Sequence, residues 1–241
     1  MRIAVAVILG ALLSVGQVGA QNLTPAEAKQ RLQEEGHGLS QMDYQSAVIE
    51  GRAGDVRLYL EAGYDPDSSL KSGGIELGFL GYAVGRHPDI VKLLLKYGAD
   101  PNEPGLMAYP IHNALPHEKS MRALLQHGAV PSVTNSSGFH PIHSIVLADT
   151  ASSVRAKAAS VLLQYGADPN AETEKGDGKG ATPLLLCAAK GAPGVARVLL
   201  ENGASVTLEG TSYTLKKGYT LSKVARARGH TKTAAVIEEY E

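Results

Sequence analysis

Five times along this 241-residue chain a leucine pair is followed by a glycine and a turn, and this recurrence restricts the fold more than any other feature. The phrase reads Leu58-Tyr-Leu-Glu-Ala-Gly-Tyr-Asp-Pro-Asp67, then Leu93-Leu-Leu-Lys-Tyr-Gly-Ala-Asp-Pro-Asn102. It returns as Leu124-Leu-Gln-His-Gly-Ala-Val-Pro131, as Leu162-Leu-Gln-Tyr-Gly-Ala-Asp-Pro-Asn170 and as Leu199-Leu-Glu-Asn-Gly-Ala-Ser205. The glycines fall at 63, 98, 128, 166 and 203, so the spacings are 35, 30, 38 and 37 residues. A period in this range marks an array of small structural units.

Each part of the phrase has a physical reading. The leucines close an amphipathic helix; in Ile90-Val-Lys-Leu-Leu-Leu-Lys96 the lysines lie off the apolar stripe. The glycine sits where a left-handed residue ends a helix without steric penalty. Asp-Pro-Asn then blocks helix continuation and favours a turn. Upstream, a second phrase recurs as Tyr109-Pro-Ile-His112, His140-Pro-Ile-His143 and Thr182-Pro-Leu-Leu185. Proline is tolerated in the first turn of a helix, where its missing N–H would be unpaired anyway. Each unit therefore reads as helix, tight turn, helix, glycine stop and protruding turn. Two short helices cannot bury an apolar face alone, so the units must stack around one continuous core.

These phrases resemble the ankyrin repeat, whose Thr-Pro-Leu-His and Leu-Leu…Gly-Ala-Asp-Pro-Asn segments they match in degenerate form. The resemblance implies an all-α solenoid of stacked helix-turn-helix units with protruding turns. It covers residues 43–241, as about five repeats plus a C-terminal cap. That cap reads as a half-unit at residues 221–230, followed by a polar stretch at 232–240. Residues 21–42 form an N-terminal capping segment, with a helix signalled by Thr24-Pro25-Ala26-Glu27.

The departures from the repeat are expected in loops. Residues 68–75, 171–180 and 207–218 lengthen three turns, and residues 149–155 lengthen the joint between two helices. Insertions in repeat arrays map to loops, often on the binding face.

Charge narrows the function. Lys+Arg total 23 against 24 Asp+Glu, a formal charge of −1. That balance disfavours a nucleic-acid or polybasic membrane-surface role. At the N-terminus, Arg2 precedes an uncharged aliphatic run at residues 3–15, and Val18-Gly19-Ala20 fits a signal-peptidase site. The run is shorter than the about 20 apolar residues that a spanning helix needs. Residues 1–20 are therefore expected to be a signal peptide cleaved after Ala20, which leaves residues 21–241 in the periplasm with no membrane span. With one cysteine, no internal disulfide can form.

The sequence fits none of the common catalytic signatures. No Gly-x-Ser-x-Gly or His-Glu-x-x-His occurs. Gly176-Asp-Gly-Lys-Gly-Ala-Thr182 fails as a phosphate loop, because Lys179 is followed by Gly180 rather than Ser or Thr. His112 and His143 occupy equivalent places in successive repeats, and the resemblance implies that they order turns by bonding backbone. A specific metal site needs three or four converging ligands, so neither metal nor cofactor is expected. Cys187, in an apolar helix, reads as a small buried hydrophobe.

What remains is a protein-binding surface on a non-catalytic chain. Its candidate contacts are turn residues that folding does not obviously require: Glu103, Met107, Asn135, Ser136, Phe139, Glu172, Glu174, Lys175, Asp177 and Tyr213. The aromatics stand out because aromatic anchors dominate interfaces. The expected role is to bind and neutralise or regulate an exported enzyme, as an immunity or inhibitor protein does, and as a monomer. The alternative is an accessory factor in periplasmic, catalase-associated oxidative-stress defence.

Overall fold

The computed structural model describes residues 22–72, 75–105, 108–115, 117–176, 178–208 and 219–241. The expected signal peptide, with its cleavage site, lies outside the described residues. Two rows of helices run through the molecule. The outer row contains α1 (Pro25–Glu34), α3 (Ala53–Glu61), α5 (Pro88–Lys96), α7 (Glu118–Gln126), α9 (Ser152–Gln164), α11 (Pro193–Glu201) and α13 (Thr231–Glu238). The inner row contains α2 (Gln41–Glu50), α4 (Phe79–Ala83), α6 (Pro110–Asn113), α8 (Pro141–Leu147), α10 (Pro183–Lys190) and α12 (Leu221–Ala227). Each outer helix packs on the next in its row, each inner helix does likewise, and the two rows bury one core running from Ala28 to Ile237.

The outer helices show why the leucine phrase recurs. In α5 the buried residues are Ile90, Val91, Leu94 and Leu95, while Lys92 and Lys96 face water. Its end is closed by Gly98 N–H donating to Leu95 O and Ala99 N–H donating to Leu94 O, at 3.1 and 3.0 Å. The same pair of bonds closes the helices before Gly63, Gly128, Gly166 and Gly203. All five glycines have φ between 86° and 96°, a left-handed conformation that costs an ordinary residue about 1 kcal/mol.

The Asn of the turn phrase has its own role. Asn102 Nδ2 donates to Gly128 O at 3.0 Å, and its Oδ1 accepts from Val130 N at 2.9 Å. Asn170 repeats this two joints later, to Gly203 O at 3.1 Å and from Ser205 N at 2.8 Å. At these two joints one amide clamps a turn to the next. In the first repeat Asp67 holds this place. It accepts from Asp100 N at 2.8 Å but has no donor for the carbonyl.

At three places the structure departs from the sequence reading. The lengthened turn after Asp67 is an antiparallel hairpin, β1 (Ser69–Ser72) with β2 (Ile75–Gly78), pairing Leu70 with Leu77. Phe79 N–H donates to Ser68 O at 2.8 Å and closes its base. The solenoid is helical with this one two-stranded sheet among the described residues. Residues 149–155 do not form a long joint. Most of them extend α9 to 13 residues, against nine in α5, α7 and α11. The C-terminal half-unit is a complete helix pair. Ala234, Val236 and Ile237 of α13 enter the core, and its acids turn outward to pair with Arg226 and Arg197.

At the other end α1 lies in the outer row, against α3. Thr24 caps it with a reciprocal box to Glu27. Since α2 begins at Gln41, a boundary between residues 42 and 43 falls inside a helix. No helix of the described residues is long and apolar enough to cross a membrane.

Candidate protein-binding surface

Between each outer helix and the next inner helix the chain projects a turn, and these turns stand in a row beside the inner helices. The first is the β1–β2 hairpin, and the second runs from Ala99 towards Pro110. The third spans residues 129–140, and the fourth residues 167–182.

The third and fourth turns are zipped together. Glu174 N–H donates to Gly138 O at 2.9 Å, and Thr134 Oγ1 donates to Glu174 Oε2 at 3.1 Å. Gly138, at φ 78°, lies so close to Lys175 that an added Cβ would stand 2.7 Å from its backbone nitrogen. This pairing gives several candidate contacts a folding role. Asn135 Oδ1 accepts from Ser137 N and Phe139 N at 3.0 and 3.1 Å, so Asn135 holds the turn. Phe139 is half-buried with its ring 6.1 Å from that of His143, and its carbonyl accepts from His112. Both therefore have folding roles that the sequence did not reveal. Ser136, Glu174 and Lys175 are exposed, and Glu172 is half-buried. Met107, Asp177 and Tyr213 lie outside the described residues.

Glu103 stands apart from that pair, exposed on the second turn. It borders a shallow, open groove between the hairpin and the second turn. Leu77, Leu80, Pro104 and Pro110 supply apolar walls, with Asp67 and Asn113 as polar neighbours. Sequence reading did not assemble this groove. The insertion at 68–75 was the available signal, but only the hairpin register brings Leu77 and Asp67 opposite Glu103.

His143 and His112 have structural roles. His143 is fully buried. Its Nε2–H donates to Ala171 O and Ala181 O at 3.0 and 3.1 Å, while Nδ1 accepts from His140 N at 3.2 Å. Burial pushes its pKa down to about 4, with the neighbouring His140 adding to the effect, so the ring is neutral at pH 7. His112 donates to Phe139 O at 3.0 Å and is lowered by burial in the same way. One potential metal trio occurs among the described residues: Glu35, His37 and Asp55. Arg52 already fills that space, bonded to Asp55 and 3.3 Å from His37 Nδ1. Cys187 is fully buried, which raises its thiol pKa.

Several carboxylates of the outer row are paired, whereas four on the first two turns are not. On the outer helices Glu35, Glu61, Glu118, Glu238 and Glu239 pair with Arg31, Arg57, Arg122, Arg226 and Arg197. On the first two turns, Asp65, Asp67, Asp100 and Glu103 are exposed, and no cation of the described residues pairs with them. The arrangement offers a recognition surface of carboxylates and apolar walls.

Comparison with known proteins agrees with this architecture. The family model described as ankyrin repeat matches residues 80–105 and 179–210. An ankyrin repeat protein of Rickettsia bellii is 25% identical over 150 residues, covering 61% of this chain and 57% of that protein. One from fowlpox virus is 33% identical over 99 residues, covering 39% and 28%. Mouse ankyrin repeat and SOCS box protein 16 is 34% identical over 134 residues, covering 51% and 30%. The chain thus spans about half or less of the length of these relatives. The recurring leucine–glycine phrase and the paired helix rows agree with these matches: the chain carries ankyrin repeats and is similar to ankyrin repeat proteins.

Proposed function

We propose that this protein is an exported, non-catalytic binding module whose turns and inner helices hold a second exported protein, an enzyme that it restrains. Ankyrin repeats are protein-interaction modules, and that coarser role follows from the family. The observation that supports the finer reading is the set of exposed carboxylates on the first two turns, Asp65, Asp67, Asp100 and Glu103, with which no cation of the described residues pairs. Unpaired charge on a rigid scaffold steers and selects an oppositely charged partner. Export rests on the charged start, the short aliphatic run and Val18-Gly19-Ala20.

The test is expression of the full chain with a C-terminal tag in its own host. Fractionation and N-terminal sequencing would be followed by crosslinked capture and mass spectrometry. The expected result is a periplasmic protein starting at Gln21 that captures one stoichiometric exported enzyme and lowers its activity. A cytoplasmic product that retains residues 1–20, or capture without any effect on the partner's activity, refutes the reading.

A further inference from the structure

We propose that the groove between the β1–β2 hairpin and the second turn seats an arginine or lysine side chain from a basic segment of the protein partner. The inference deepens the binding role and rests on it.

The groove combines two features that such a side chain needs. Leu77, Leu80, Pro104 and Ala108 form apolar walls suited to a methylene stem. Asp67 and Glu103 stand at the rim, where a charged head would remain partly hydrated. Asp67 commits one oxygen to Asp100 N–H, and Glu103 has no side-chain bond among the described residues. Around them, residues 62–78 and 98–108 carry five acids and one base, Lys71. The surroundings therefore repel an acidic segment and attract a basic one.

A metal ion fits less well. Asp67 and Glu103 do not join any third ligand in a cluster of donor atoms. Separated carboxylates flanking apolar walls suit an extended cation of the guanidinium or ammonium type. Five acids in or beside the outer helices supply the contrast: Glu35, Glu61, Glu118, Glu238 and Glu239 are paired with arginines four residues away or on a neighbouring helix.

The test uses isotope-labelled full chain and two capped alanine pentapeptides, one with arginine and one with norleucine at the centre. Amide shifts would be followed during titration, in low salt and again in 0.5 M salt. The expected result is saturable movement of the Leu77, Leu80, Glu103 and Ala108 amides by the arginine peptide, weakened by salt. The norleucine peptide is expected to bind roughly tenfold more weakly. Asp67→Asn with Glu103→Gln is expected to abolish that preference. The Asn at position 67 restores the amide found at 102 and 170, so the variant remains folded. Equal binding of both peptides, shifts confined to other turns, or an unchanged preference in the double variant overturns the proposal.

A captured enzyme separates the two readings. If the double variant still binds it with undiminished affinity, the groove assignment fails while the binding role stands. If no enzyme is captured at all, the binding role fails irrespective of the peptides.

Discussion

Lowering the pH should unfasten this solenoid at His143. The ring is fully buried and neutral, and it ties three backbone groups on two adjacent turns. Its pKa falls from 6.5 to about 4 on folding, chiefly because burial disfavours the charged form. Protonation therefore favours the unfolded chain. The stabilisation is complete above pH 6.5 and is lost progressively as pH falls towards 4. At about 1.4 kcal/mol per pH unit, the full loss is about 3 kcal/mol, and most of it is reached by pH 4.5. The perturbation is His143→Gln, which cannot titrate and leaves at least one of the three backbone groups unpaired. At pH 7.5 it should cost about 1–3 kcal/mol. Urea unfolding followed by circular dichroism at pH 7.5 and 4.5 would measure both proteins. The stability difference between wild type and variant should move by about 2.5 kcal/mol in the variant's favour at the lower pH. Carboxylate titration is common to both proteins and cancels. A gap that does not change with pH would falsify the assignment of a neutral, buried ring.

Three other perturbations have defined outcomes. Gly51→Ala should be more disruptive than Gly63→Ala, about 2 against 1 kcal/mol in urea unfolding. Both glycines have positive φ, but a Cβ at 51 would stand 2.6 Å from the His87 ring and one at 63 meets nothing; equal losses would refute the contact. Asn170→Asp removes the donor to Gly203 O and places charge beside that carbonyl, so stability should fall by about 1–2 kcal/mol near neutral pH. Unchanged unfolding would show that the amide clamp is dispensable. Cys187 should resist an aromatic disulfide reagent in the native protein and react fully in urea, because its thiol is buried and its pKa raised. Rapid native reaction would mean that the α10 region opens readily.

The repeat was legible in sequence because each of its signals acts locally. Leucines at helical spacing make a stripe, glycine permits left-handed closure, and proline opens a helix, whatever lies elsewhere in the chain. The same locality let residues 24–27 announce α1, whereas the turn-ordering role of His112 and His143 came from the resemblance to ankyrin repeats, since their partners lie in the following repeat. It failed where two segments had to meet. Residues 68–75 lacked a helical pattern, but their strand pairing depends on register against one another. The acids of residues 232–240 obscured a helix whose Ala234 and Ile237 complete the core, since their partners Arg226 and Arg197 lie on other helices.

The candidate surface divides in the same way. Asn135 and Phe139 looked free in sequence because their partners are backbone groups within the same turn and a histidine from the preceding repeat. The groove at Asp67, Leu77 and Glu103 could not be read at all. Its walls come from two successive repeats, and their distance is set by how far apart stacked helices pack. The sequence by itself determined that this chain would be a helical array with turns along one edge, because periodicity, helix stops and caps are short-range. Tertiary structure decided which side chains those turns leave unpaired and which they bring together, because charge pairing and enclosure depend on neighbours remote in sequence.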